Sequence, residues 1–393
     1  MTDNMRPIVA VICEYDPFHL GHAQQYKLIR SQLPDAYIIC IMSGCFTQRG
    51  LPSLHLPSSR AKAALTFGAD VVLELPVAYS VRDAEHFAHG AVSIANSLRC
   101  IDFLSFGLEG DIAPLRHAAH CLNSPTTQYT NTLKNALSKG ISFAKAQGLA
   151  LCETLSTSEH VFSTPNNILG ISYLRAIERL NSPIKPLPVF RNGSYHSTDL
   201  SEVTFPSATA VRLAYLSGNP TKASDACGYT LPFSPICKPD ALDSVLLYTI
   251  RNMSLESMRE LPYCSEGLEY RLRNCSLQAT SRENLLNLLK TKRYAHARLS
   301  RLCTHALLHL TQDDISKYPT APYTRLIGFN KKSSELLKLF KNSEIPVYAK
   351  STFADRANPI WNYDEKAYDL WALGSGLPAS LIYTQKTVVI NDE

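Results

Sequence analysis

The stretch that decides the fold is Ile8-Val9-Ala10-Val11-Ile12-Cys13-Glu14-Tyr15-Asp16-Pro17-Phe18-His19-Leu20-Gly21-His22. Six apolar residues run without a polar break. The chain then turns through a proline into an H-x-G-H sequence that opens a helical pattern. A continuous apolar run fits a strand covered on both faces, as in a parallel sheet, and not a half-exposed one. The same rhythm repeats downstream. Tyr37–Met42, Val71–Leu75 and Phe103–Phe106 read as strands, and Ala23–Leu33, Ser58–Phe67 and Ala84–Leu98 read as helices. Alternating strand and helix implies right-handed crossovers and a doubly wound, mainly parallel α/β sheet. Ligands on such sheets bind beyond the C-terminal ends of the strands, so the turn after Cys13 is the first place to look.

The chemistry of that turn suits a nucleotide. A helix N-terminus aims unpaired N–H groups and the positive end of its dipole at an anion. His19 and His22 are three residues apart, so both can face one phosphate, and Gly21 allows close approach. Imidazole N–H groups can donate to charge growing on an α-phosphate during attack. A second element, Ser207-Ala208-Thr209-Ala210-Val211-Arg212, places hydroxyls at a helix start and a cation one turn in. Arg212 can neutralise the β,γ-phosphates as pyrophosphate leaves. Alone, this element reads better as a capped surface helix with a solvated arginine.

The rest of the chain sets limits. It has 393 residues, 45% apolar and 19% charged, enough for a full core and too apolar for disorder. The eleven cysteines contain no C-x-x-C pair, which argues against a zinc module or disulfide framework and for a reducing cytoplasm. No apolar run approaches a membrane span, and the N-terminus lacks a signal-peptide pattern. Glu85, His86 and His89 are too few for a metal site. A nucleophile elbow and a G-x-G-x-x-G turn are both missing. Residues 1–218 are expected to form the nucleotide-binding α/β domain, with a helical insertion at about 112–160 and a strand at Ile184–Phe190. Prolines 220, 232, 235 and 239 mark a linker, and 219–393 is expected to be mostly helical. Lys290, Lys292, Arg293, Arg298 and Arg301, with Tyr294 among them, predict an amphipathic helix with a basic face toward RNA, which Lys331, Lys332, Lys338 and Lys341 would extend. The net charge of +5 permits such a partner.

Several motifs follow in one order: Glu14-Tyr15-Asp16-Pro17-Phe18-His19-Leu20-Gly21-His22, Met42–Gly50, Phe106-Gly107, Pro165–Gly170, Tyr195-His196, Ser207–Arg212, Lys292–Arg301 and Thr324–Asn330. Over almost the whole chain this resembles the bacterial tRNA(Met) cytidine acetate ligase family, within the H-x-G-H nucleotidylyltransferase superfamily. The resemblance implies that ATP and acetate give acetyl-adenylate and pyrophosphate. The acetyl group then passes to N4 of the wobble cytidine of elongator tRNA(Met). It implies catalytic roles for His19, His22 and Arg212, and tRNA contacts at Lys292, Arg293, Arg298 and Arg301. It implies ATP contacts at Ile12, Cys13, Glu14, Tyr15, Asp16, Pro17, Phe18, His19, Leu20, Gly21, His22, Ala23, Gln24, Gln25, Gly107, Asn167 and Arg191, with Mg²⁺ as an optional companion. Two departures stand out: Asp16 replaces the usual Asn, and the lysine usual near Pro57 is missing, although Arg60 remains. The competing readings are an adenylyltransferase for a small molecule and an RNA-binding protein with a decayed nucleotide site. Ser43–Leu54, with Gly44, Gly50 and Pro52, reads as a mobile cover over a wobble base inserted near His19 and Gly44.

Overall fold

The computed structural model describes residues 6–190, 207–232, 235–291 and 294–391. Its centre is one twisted sheet built from β1 (Ile8–Cys13), β2 (Tyr37–Ser43), β3 (Val71–Leu75), β4 (Phe103–Leu108), β5 (Lys185–Phe190), β6 (Thr324–Asn330), β7 (Val347–Tyr348) and β8 (Val388–Ile390). The order is β5-β4-β1-β2-β3-β6-β7, with β8 also on β6. The first five strands are parallel, and β6 runs antiparallel to β3. The mainly parallel doubly wound sheet is therefore as expected. β2 and β3 are buried at every position, which is why their sequences carry no alternation. β5 carries two prolines and lies outermost, where missing N–H donors cost least.

From β1 the chain winds one way to β2 and β3, then crosses back to β4 on the other side. This reversal makes a topological switch point between β1 and β4. A crevice opens at their C-terminal ends, directly where the H-x-G-H turn leaves β1.

Six helices position the site: α1 (Leu20–Gln32), α2 (Pro57–Thr66), α3 (Ala208–Leu216), α4 (Arg282–Leu289), α5 (His296–Leu308) and α6 (Trp361–Ser375). The expected insertion is a run of helices from Ile112 to Ser163. The C-terminal region is mostly helical, as expected, but 324–390 also returns three strands to the sheet. Thr324–Asn330 is too short to be told from a helical turn by periodicity, and only its pairing with β3 reveals it. β4 also runs two residues past Phe106, so Gly107 lies inside the strand opposite Val189.

The expected basic amphipathic helix needs correction. Every residue of α5 from Leu299 to Leu308 is buried. From Leu299 onward the helix is a core element, and only its first turn, His296–Arg298, reaches the surface. Among the described residues, no helix is long and apolar enough to cross a membrane.

His305 sits in this buried helix, with Nε2 2.8 Å from the Val81 carbonyl. Burial pushes its pKa from 6.5 down to about 3. Between those values the unfolded chain binds a proton that the folded chain refuses, so folding stability is lost as pH falls from about 6.5 toward 3. In urea unfolding, His305→Asn is expected to flatten stability against pH in that window. An unchanged slope contradicts this.

Candidate active site

The histidines take the geometry that the spacing suggested, with a detail the spacing does not contain. His19 is the N-cap of α1, and its Nδ1 accepts the Gly21 N–H at 3.1 Å. The His22 Nδ1 accepts the His19 N–H at 3.2 Å, and the two rings stack at 3.7 Å. An acceptor nitrogen carries no proton, so each neutral ring keeps its hydrogen on Nε2. Both histidines are thus locked in one tautomer by the turn they cap. Beneath them Tyr15, Phe18 and Tyr26 pack as an aromatic floor, with the Tyr15 and Tyr26 hydroxyls 2.5 Å apart.

Next to this turn lies a cleft lined by Glu14, Asp16, Thr47, Arg49, Pro52, Ser207, Thr209 and Arg212, among others. The structure brings Arg212 to the first loop across 196 residues. Its guanidinium donates to the Asp16 carbonyl, to Asp16 Oδ2 at 3.3 Å and to Thr209 Oγ1 at 3.2 Å. Ser207 is the helix cap, accepting the Ala210 N–H. The unusual Asp16 is explained here. Its Oδ1 accepts the Leu54 N–H at 2.7 Å and its Oδ2 pairs with Arg212, so its charge is met by two donors before any phosphate arrives. Glu14 accepts the Gln48 N–H at 2.6 Å, and burial raises its pKa.

Ser43–Leu54, expected as a mobile cover, is tied to the rest of the chain at many points. Its amides and carbonyls are held by side chains from five other parts of the chain. Arg60, only 1% exposed, donates to the carbonyls of Ser43, Gly44, His55 and Glu14. Arg282 on α4 and Thr304 on α5 donate to Gly50 O, and Ser300 donates to Arg49 O at 2.7 Å. Trp371 on α6 donates to Ser53 O at 2.7 Å. Glu14 and Asp16 take the Gln48 and Leu54 amides. Gly44 lies under this loop against the Glu74 carboxylate, which pairs with Arg325 on β6. It is not an open seat for a base.

The other expected residues fall in different places. Ile12 and Cys13 end β1, and Leu20, Gly21, Ala23, Gln24 and Gln25 belong to α1. Asn167 is 1% exposed. Its amide donates to the carbonyls of Glu109 and Val161 and accepts the Glu109 N–H, bracing the loop after β4. Arg301, expected at the RNA-facing surface, is only 8% exposed and turned toward Gln48 O. Tyr294 is buried beneath Arg298, which is half-buried and donates to Tyr263 O. Lys331, Lys332, Lys338 and Lys341 are exposed. Arg191, Lys292, Arg293, Tyr195 and His196 lie outside the described residues. Glu85 pairs with Arg175 and Arg179, and His86 with Asp83. Sequence reading missed Arg282, Ser300, Thr304 and Trp371. Their partners are backbone carbonyls hundreds of residues away, which leave no local signature.

The family described as HIGH Nucleotidyl Transferase matches residues 6–381. A tRNA(Met) cytidine acetate ligase of Clostridium perfringens is 35% identical over 385 residues, covering 93% of this chain and 94% of the relative. One from Acetivibrio thermocellus is 34% identical over 376 residues, covering 90% of each. The crystal structure of Thermotoga maritima TmcAL in its apo form I superposes with a TM-score of 0.90 at 26% identity, covering 98% of this chain and all of that one. The same protein bound with alpha-thio ATP superposes at 0.88, with the same identity and coverage.

Gly50 tests the fixed loop. Its φ is +72°, and an added Cβ would lie 2.8 Å from Arg301 Cα. Gly140 has φ +74° with nothing within 4 Å. Gly140→Ala pays only the left-handed strain, about 1–2 kcal/mol. Gly50→Ala adds a backbone clash and is expected to cost about 2–5 kcal/mol in denaturant unfolding. Equal losses contradict a loop pressed onto α5.

Proposed function

The chain belongs to the tRNA(Met) cytidine acetate ligase family of the HIGH nucleotidyl transferases, and from that premise we propose how its residues carry the reaction. It is an ATP-dependent ligase that forms N4-acetylcytidine at the wobble position of elongator tRNA(Met), by way of acetyl-adenylate and pyrophosphate. The observation that carries the mechanism is the paired Nδ1 acceptance of His19 and His22. It fixes two Nε2–H donors at the N-terminus of α1, where the helix dipole also favours an anion. The α-phosphate of ATP sits at this turn. An acetate oxygen attacks the phosphorus in line, charge grows on the equatorial oxygens, and the two imidazoles donate to it. Neutral donors suit this task because the rings need neither gain nor lose a proton.

Arg212 takes the departing pyrophosphate. Asp16 holds its guanidinium in place and partly offsets its charge, so release of the product is not opposed by a bare cation. Among the described residues no group of three His, Cys, Asp or Glu side chains could cage a metal. Magnesium can accompany the triphosphate as its counter-ion.

In the second half-reaction the N4 lone pair attacks the acetyl carbonyl and AMP leaves. That amine is a poor nucleophile, because its lone pair is delocalised into the ring, so a preset site matters. A loop base is cheap to unstack, which suits a wobble cytidine. The tRNA approaches from the 219–393 side, where Lys290, Arg298 and the lysines after β6 offer cations. A tRNA substrate suits an enzyme of the cytoplasm.

Incubation with ATP, labelled acetate and bulk tRNA, followed by nucleoside analysis, tests the reading. Acetylcytidine with release of AMP and pyrophosphate is expected. A stable adenylylated metabolite with unmodified tRNA would point to the small-molecule adenylyltransferase. His22→Ala is expected to slow acetyl-adenylate formation by roughly 10²–10³ while tRNA affinity holds. Near-wild-type activation would remove His22 from the mechanism.

A further inference from the structure

Four arginines meet the loop Ser43–Leu54, and three of them are used to hold it. Arg60 donates to the carbonyls of Ser43 and Gly44, Arg282 to that of Gly50, and Arg301 to that of Gln48. Arg49 is the fourth. Its own carbonyl is fixed by the Ser300 hydroxyl, and the next residue is pressed onto α5. Its side chain, however, is exposed, lines the cleft that also holds Arg212, and makes no hydrogen bond or ion pair with any described residue.

The two carboxylates of the cleft do not pair with it. Asp16 is engaged by Leu54 and Arg212, and Glu14 by Gln48. The cleft therefore offers an anion a guanidinium whose backbone is already ordered. Binding there costs the freedom of one side chain and not that of a loop. A planar fork of N–H donors matches a phosphate better than it matches water or a neutral group.

We propose that Arg49 is a phosphate-binding residue of this cleft, gripping a substrate phosphate from the loop side while Arg212 serves the α3 side. The proposal rests on the ligase reading for its two sources of phosphate, the triphosphate of ATP and the backbone of the tRNA. Both share the chemistry that Arg49 recognises.

Arg49→Ala and Arg49→Lys separate them. ATP binding is measured by calorimetry and tRNA binding by titration over a range of salt, both without turnover. Acetate KM is measured alongside. Arg49→Ala is expected to weaken one phosphate-bearing ligand about 10–100-fold, the scale of a charged hydrogen bond, with partial recovery in Arg49→Lys. A loss confined to ATP assigns the triphosphate. A loss in tRNA affinity, with a log–log salt slope shallower by about 0.7–0.9, assigns the RNA backbone. ATP and tRNA affinities both within twofold of wild type overturn the proposal, as does an effect confined to acetate. Because the side chain is exposed, the melting temperature is expected to stay unchanged, and a large drop would overturn the assignment in favour of a structural role. A wild-type protein that binds ATP and tRNA but makes no acetylcytidine would sink the ligase reading and leave the Arg49 result standing.

Discussion

The arrangement depends on buried arginines donating to backbone carbonyls. A guanidinium in the interior costs several kcal/mol unless its donors are met, and here carbonyl oxygens of the Ser43–Leu54 loop meet them. Burial even lowers the pKa of Arg282, although it stays charged. The exchange works in both directions. The loop has little regular structure of its own, a single bridge between Phe46 and Pro52, and so leaves carbonyls that need donors. Arginines from α2, α4 and α5 supply them, and Trp371 of α6 supplies another. The loop is thereby the seam that joins the first half of the chain to the second.

This seam explains why the chain is not simply two units in sequence. The helical segment that begins after the linker lays α4 and α5 against the loop beside the nucleotide turn, and its last 70 residues rejoin the sheet through β6, β7 and β8. Tying the two halves of the chain this closely suits a reaction with a labile intermediate. Acetyl-adenylate loses its acetyl group to water unless the acceptor is delivered to the place where it forms, and a rigid wall limits that leakage without a closing step.

Much of the fold was legible. β1 and β3 were bounded to the residue, and most of the early elements to within one to three, because continuous apolar runs separated by helices have few other solutions. The His19 and His22 pair was legible for the same reason, being local. What was not legible is long-range. Thr324–Asn330 is a strand only because β3 presents an edge to it. Arg301 looked like one of a row of surface cations, and nothing in its neighbourhood shows that Gln48 lies above it. Asn167 reads as a ligand residue, and nothing local shows that its amide also matches the backbone of Glu109. Glycines and a proline suggested that Ser43–Leu54 moves, yet Gly50 is there because the loop approaches α5 too closely for a side chain.

Amide hydrogen exchange in the ligand-free protein tests the fixed seam most directly. The amides of Thr47, Gln48, Gly50, Ser53 and Leu54 each have an acceptor, in Leu51, Glu14, Thr47, Cys45 and Asp16 respectively. They are expected to exchange slowly, with protection approaching that of the β2 amides, since opening them means breaking the contacts to α4, α5 and α6 together. Fast exchange of these five amides, at the rate of an exposed loop and slowed only when ATP or tRNA binds, would contradict a preset wall and restore the mobile cover.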